Sequence, residues 1–237
     1  MNLFNEDNFL NKALNLCGDV IIANILFVLC SIPIITIGPS LTALYHCMLR
    51  SVKGNNNGTI KTFFRALKEN FKQSFAVWIS LLILFVILFL NIRFLQQTDS
   101  SFGKALLIGT YSITFLATIV FLYIFPVISA FQGTVKNHLR NAVLFAFMHL
   151  PSTLAIAFIS VFPFLLVYMN YDIIIVFLFS WTFFLFGLVA YMNSKLFYRM
   201  FKPYLGEEED TTEDESFFID ADQVDGLAEL LHKKGEH

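Results

Sequence analysis

The sequence predicts an all-α, multi-pass transmembrane helical bundle, and two observations predict it. Five windows, residues 20–49, 73–92, 105–135, 141–171 and 173–194, contain no Asp, Glu, Lys or Arg. The chain is also 57% hydrophobic and only 14% charged, with 29 Phe in 237 residues, more aromatic surface than a soluble core of this size takes up. A helix crosses a hydrocarbon layer of about 30 Å in about 20 apolar residues, and a charge at mid-depth is costly, so windows of this kind are what insertion requires. The first strongly apolar run begins at Val20 behind an acidic, Asn-rich opening, and no small-residue cleavage site closes it, so a cleaved leader is not expected.

The first window is too long for one straight span, since 30 residues make about 45 Å of helix. Pro33 and Pro39 bracket Ile34, Ile35, Thr36, Ile37 and Gly38, so Pro33, Gly38 and Pro39 are the candidate helix break. One path is a span that kinks there and emerges on the far side, giving five crossings; the other is a helical hairpin, giving six. The five-span path is the expectation, because Pro39, Thr42, Ala43, Leu44 has a partner at the same spacing in Pro126, Ser129, Ala130, Phe131, and such a repeat sets spans one and three parallel.

The connection that follows carries the sharpest local pattern. After the turn-forming run Gly54, Asn55, Asn56, Asn57, Gly58, apolar Ile60, Phe64, Leu67 and Phe71 recur at helical spacing, and Lys61, Arg65, Lys68 and Lys72 form a second stripe beside them. A basic amphipathic helix over 59–74 is therefore expected, and these four cations are the candidate lipid- or partner-binding residues. Such a helix lies on anionic headgroups, or docks a cytoplasmic partner or the chain's own acidic tail.

The remaining windows supply the later spans. Asn24, Asn91, Asn170 and Asn193 fall in or beside them, where hydrogen bonding between helices is the default and a polar path the alternative. Cys17, Cys30 and Cys47 lack any metal or redox spacing and read as small apolar side chains.

Charge divides the chain into two domains. Residues 1–205 hold 14 Lys+Arg and 6 Asp+Glu, a net of +8, whereas residues 206–237 hold 2 and 12, a net of −10. The second part reads as an acidic, largely disordered tail, closed by Val224, Leu227, Leu230 and Leu231 at the spacing of a short amphipathic helix. With five spans, eleven basic residues gather on one side and Lys12, Arg93 and Lys104 on the other, which puts the N-terminus outside and the tail in the cytoplasm of a cell-membrane protein.

Catalytic patterns are lacking: His46 and His149 have no metalloprotease, nucleophile-elbow, phosphate-loop or paired-carboxylate companions, and read as packed histidines. No catalytic, cofactor-binding or metal residues are assigned, no enzyme activity and no cofactor are expected, and no nucleic acid is expected among the partners.

The run Ser31-Ile32-Pro33-Ile34-Ile35-Thr36-Ile37-Gly38-Pro39-Ser40-Leu41-Thr42-Ala43-Leu44-Tyr45, followed by Thr62-Phe63-Phe64-Arg65-Ala66-Leu67-Lys68-Glu69-Asn70-Phe71-Lys72-Gln73-Ser74, resembles the YesL family of small multi-pass membrane proteins from Firmicutes. The segment Pro126 to Pro151 is also similar, so the resemblance covers residues 1–205, and the acidic tail departs from it. Members of that family have no established biochemical activity, and their genes often lie near those for carbohydrate importers of the ATP-binding-cassette type, so the resemblance implies an accessory role in sugar uptake. A non-enzymatic accessory protein that binds importer subunits and anionic membrane lipids is thus the first expectation, and a self-contained small-molecule transporter or channel the second. The uncharged windows carry no acidic residue to couple transport to an ion gradient, which favours the first.

Overall fold

The structure, a computed structural model, describes residues 9–54, 58–98, 100–170, 172, 174–204 and 219–220. In chain order the helices are α1 (Phe9–Cys30), α2 (Ile37–Val52), α3 (Thr59–Leu95), α4 (Ser101–Ala130), α5 (Val135–Met148), α6 (Leu150–Met169), α7 (Ile174–Ser180) and α8 (Phe186–Phe201). A five-residue π turn, Trp181–Leu185, joins α7 to α8 in one continuous element, Ile174–Phe201. Among the described residues five helices are long and apolar enough to cross a membrane: α1, α3, α4, α6 and the α7–α8 element. Their outer faces are apolar, with Ile87, Phe89, Phe115, Leu154, Phe158 and Phe179 among the exposed side chains, as a surface bathed in lipid requires. The molecule is a multi-pass membrane helical bundle.

The apolar window 20–49 does not run through as one kinked span. Asp19 of α1 accepts a hydrogen bond from the Thr59 hydroxyl, and Cys47 of α2 reaches the Thr59 carbonyl at 3.8 Å. At the other end the Thr36 hydroxyl closes the turn onto the carbonyls of Cys30 (2.6 Å) and Pro33 (2.7 Å). Two helices that meet at both ends are antiparallel, so α1 and α2 form a hairpin. The reason is local: Pro33 holds an extended conformation (φ −73°, ψ 119°) and stops α1, while a 3₁₀ turn, Ile34–Thr36, reverses the chain. Of the three candidate break residues only Pro33 lies in the break. Gly38 and Pro39 sit buried in the first turn of α2, where a proline removes no helical hydrogen bond.

Two further hairpins follow. In α3 and α4, Thr110 donates to Asn91 (3.3 Å), Gln96 donates to Tyr111 (3.0 Å), and Trp78 packs against Phe121 and Phe125. In α6 and α7–α8, Asn193 donates to Ser160 (3.0 Å) and Phe164 packs on Trp181 (4.6 Å between centroids). The fourth uncharged window is divided, because the chain leaves α5 at His149 and Pro151 opens α6. An aromatic cluster of Phe131, Phe145, Phe197 and Phe201 ties α4, α5 and α8 at their shared end, with Phe145 and Phe201 4.9 Å apart. The sole strands among the described residues are two-residue segments, β1 (Phe131–Gln132) and β2 (Ile219–Asp220), paired in parallel.

The repeat segments meet inside the bundle, on α2 and α4. Each of these helices is antiparallel to α3, so they are parallel to one another, and His46 Nδ1 donates to the Ser129 carbonyl at 3.0 Å. The parallel pair is α2 with α4, not α1 with α4.

The π turn is held by one side chain. Its wide loop leaves the Thr182 carbonyl and the Gly187 N–H apart, and Asn24 of α1 fills the gap: Nδ2 donates to Thr182 (2.7 Å) and Trp181 (3.3 Å), and Oδ1 accepts from Gly187 (2.7 Å). Gly187 is required at that contact, since a Cβ there would lie 2.7 Å from the Val20 carbonyl oxygen. Asn24→Leu should therefore lower stability by about 1–3 kcal/mol, because it strands backbone groups as well as removing side-chain bonds. Asn91→Leu, which loses one 3.3 Å bond, should cost clearly less. Thermal unfolding in detergent, comparing the two variants, checks the ranking.

Candidate functional site

The basic helix expected over 59–74 is the first half of α3, continuous with the span that follows. The turn before it ends on Gly54 and Gly58, both in the left-handed region (φ +88° and +73°), which glycine enters without strain. As a 37-residue helix α3 is about 55 Å long, nearly twice a hydrocarbon core, so one half must stand clear of it.

That half has three faces. Thr62, Phe63, Ala66, Asn70 and Ser74 are buried against the bundle. The contact with α2 is close because residues there are small: a Cβ on Gly38 would lie 2.4 Å from Trp78 Cβ, and the hydroxyls of Thr42 and Ser74 share a 2.8 Å hydrogen bond. The Trp78 indole N–H donates to the Ile34 carbonyl (2.8 Å), which pins the hairpin tip to α3. On the outside, Ile60, Phe64 and Phe71 are 55%, 47% and 38% exposed, with Leu67 half-buried between them. Along their flank run Lys61, Lys68 and Lys72, exposed, and Arg65, half-buried. Phe64, Leu67, Lys68, Phe71 and Lys72 together line a shallow open groove. The four cations thus share one stripe as the spacing predicts, with Lys68 and Lys72 in the groove itself. Pro33, Gly38 and Pro39 belong to the hairpin tip and its docking, not to this surface.

Below the groove α3 is fixed by Gln73, which the sequence reading did not single out. Its Nε2 donates to the Gly133 carbonyl (2.8 Å), and its Oε1 accepts from His138 Nε2 (3.0 Å), joining α3 to the α4–α5 junction. A Gln inside an uncharged window gives no sequence signal of its partner. Burial holds the His138 imidazole neutral, with its pKa down at about 4 against an opposing backbone contact from Gly133.

The polar residues within the bundle tie helices together. Asn24, Asn91 and Asn193 each bond to another helix, Asn193 Nδ2 also donating a long 3.5 Å bond to the Tyr45 hydroxyl, and the Tyr123 and Thr153 hydroxyls share a 2.6 Å bond. The three cysteines are free thiols: Cys17 exposed, Cys30 half-buried, Cys47 buried. Among the described residues no group of three His, Cys, Asp or Glu is placed to hold a metal ion.

Residues 20–92 match a family model described as "Protein of unknown function, DUF624". The match runs from the apolar part of α1 through the α1–α2 hairpin and nearly all of α3, so it takes in the groove and the first two segments of the YesL resemblance, Ser31–Tyr45 and Thr62–Ser74, but not Pro126–Pro151. No curated protein and no solved structure matches the chain.

Because the folded pKa of His138 lies below its ordinary 6.5, the unfolded chain takes up that proton first as pH falls. Its contribution is therefore lost between pH 6.5 and about 4, a loss of order 3 kcal/mol at most. His138→Gln cannot titrate, so melting temperature against pH in detergent should fall less steeply for this variant than for the parent across that window.

Proposed function

We propose that this chain is a non-enzymatic accessory protein of the cell membrane that docks a cytoplasmic partner on the outer stripe of α3, the partner being a subunit of a carbohydrate importer of the ATP-binding-cassette type. The observation that carries the docking role is the groove of Phe64, Leu67 and Phe71 rimmed by Lys68 and Lys72, an apolar surface with long cations beside it. Phe and Leu side chains left outward at a basic rim have the composition of an anchor site with a polar edge. The choice of an importer comes from the YesL resemblance. The transporter or channel alternative draws less support, because Asn24, Thr42 and Tyr123 spend their polar groups on bonds between helices.

The hairpin topology bears on sidedness. With α1–α2, α3–α4 and α6–α7–α8 as hairpins, the open ends carry Lys12, Arg50, Lys53, Lys61, Arg65, Lys68, Lys72, Lys136, Arg140, Lys195, Arg199 and Lys202, and the closed ends carry Arg93 and Lys104. Twelve basic residues against two is a stronger bias than the eleven against three of a five-crossing path. Under the positive-inside rule the N-terminus, the α3 stripe and the tail are then all cytoplasmic, which moves the N-terminus from the outside position expected of five crossings. Each of these cations that lies near an anionic leaflet contributes about 1 kcal/mol to holding this face on headgroups.

Cysteine labelling from outside intact cells should leave both Asn2→Cys and Gly206→Cys unreacted until the membrane is opened; labelling of Asn2→Cys alone would restore the five-crossing path. For the docking role, purification from native membranes should enrich importer subunits with the parent chain and lose them with Lys61→Gln, Lys68→Gln and Lys72→Gln combined. Absence of importer subunits from the parent sample removes the proposal.

A further inference from the structure

A second amphipathic surface lies away from the docking stripe, on α5. Its sequence sets Val135, Leu139, Val143 and Phe147 four residues apart, so they follow one another along one side of the helix. All four are exposed, as are Lys136 and Arg140 in the first half of the helix. The opposite side is buried: His138 meets Gln73 of α3, and Phe145 packs on Phe131 and Phe201.

Hydrogen bonds fix how deep each end of α5 lies. From Ser101 to Tyr123, α4 covers about 33 Å, one hydrocarbon thickness, and its last seven residues run about 10 Å farther. The Tyr123 hydroxyl shares a 2.6 Å bond with Thr153 of α6, whose hydroxyl donates to the Ala146 carbonyl at 2.8 Å, so the end of α5 lies at the hydrocarbon boundary. Its start follows Gly133, past the end of α4, and so lies at headgroup level. The helix thus descends toward the bilayer along its length. Composition follows the descent: both cations fall in the shallow half, and no charge occurs from Asn141 to Met148. Beyond the elbow at His149 the exposed row continues into Leu150, Leu154 and Phe158, on the lipid-bathed side of α6.

We propose that α5 is a lipid-binding helix seated obliquely in the membrane interface, with Val143 and Phe147 among acyl chains and Lys136 and Arg140 on the phosphates of anionic headgroups. Helices of this kind sink an apolar face by about 5–10 Å, which matches the drop between the two ends of α5. At about 21 Å the helix is too short to cross the core, and its buried face keeps it from rolling. The lipid contact stands apart from the importer reading, because it needs no partner protein.

Fluorescence of a bimane label on single cysteines of the full chain in nanodiscs tests this, with Cys17 and Cys30 replaced by Ala and the buried Cys47 kept. Bromines on the acyl chains should quench labels on Phe147→Cys and on Leu154→Cys of α6 to within about twofold of each other, and iodide dissolved in the water should reach neither. Strong iodide quenching at Phe147→Cys with none at Leu154→Cys would put this face in water and overturn the proposal. So would a Phe147→Cys label shielded from both quenchers, which would assign the face to a second copy of this chain. For the headgroup contact, brominated phosphatidylglycerol and brominated phosphatidylcholine are compared at one low mole fraction with the label on Leu139→Cys. Two cations at about 1 kcal/mol each favour the anionic lipid up to roughly thirtyfold at low salt. The preference should fall toward parity in Lys136→Gln with Arg140→Gln and persist in Lys136→Arg with Arg140→Lys. Equal quenching by the two lipids in the parent, or a preference unchanged by the Gln pair, would overturn the proposal.

Discussion

The turn at Ser31–Thr36 is the constraint on which the rest of the arrangement depends. One hydroxyl, that of Thr36, bonds to the carbonyls of Cys30 and Pro33, and so caps the end of α1 while the chain reverses. Gly38 then lets α2 lie against Trp78 and Ser74 of α3 at a separation no side chain would permit. From this follow the meeting of Asp19, Cys47 and Thr59 at the open end of the hairpin and the continuous backing of α3 by α2. Were the first window a single kinked span, α1 would end where the basic segment begins. Its own start, with Lys12, would then be at the opposite end of the bundle.

The interior shows how a bundle in hydrocarbon manages its backbone. A π turn opens the hydrogen-bond ladder, and without water at that depth each stranded carbonyl and N–H is costly. Asn24 answers with a donor and an acceptor on one rigid amide, placed against a glycine so that α1 can come near enough. The same economy recurs where Thr42 meets Ser74, His46 meets Ser129 and Tyr123 meets Thr153. Each of these bonds joins two helices and is thereby a positional constraint on the fold.

Much of this fold was legible in the sequence, and the parts that were not share a cause. Windows without charge locate membrane-spanning helices because the cost of burying a charge is a property of composition, and five helices of sufficient length follow from them. The path within a window is set by contacts that composition does not report. Thirty apolar residues around Pro33 and Pro39 serve a kinked span or a hairpin equally well, and the choice lies in Gly38 fitting Trp78, forty residues away. Pro151 could mark the division of the fourth window, yet nothing local says that α5 lies against α4 through Phe131 and Phe145. The stripe of Lys61, Arg65, Lys68 and Lys72 was readable because helical periodicity is local. Gln73, which fixes the end of that stripe to His138 and Gly133, was not, since its partners are about sixty residues distant.

The length of α3 gives the groove its character. A hydrocarbon core takes about 20 residues of helix, so some 17 of its 37 stand outside. A free helix of that size in water is only marginally stable. Here it is welded at one end to the span and along one face to α2, through Phe63, Ala66 and Ser74. The outward Phe64, Leu67 and Phe71 are thus held in a fixed geometry, so that binding on this face would have no ordering of the helix to offset. An amphipathic helix lying loose on headgroups would turn its apolar stripe into lipid. A helix clamped by α2 keeps that stripe facing outward from the bundle, at an angle fixed by the Thr42–Ser74 and Gly38–Trp78 contacts and not by the membrane surface.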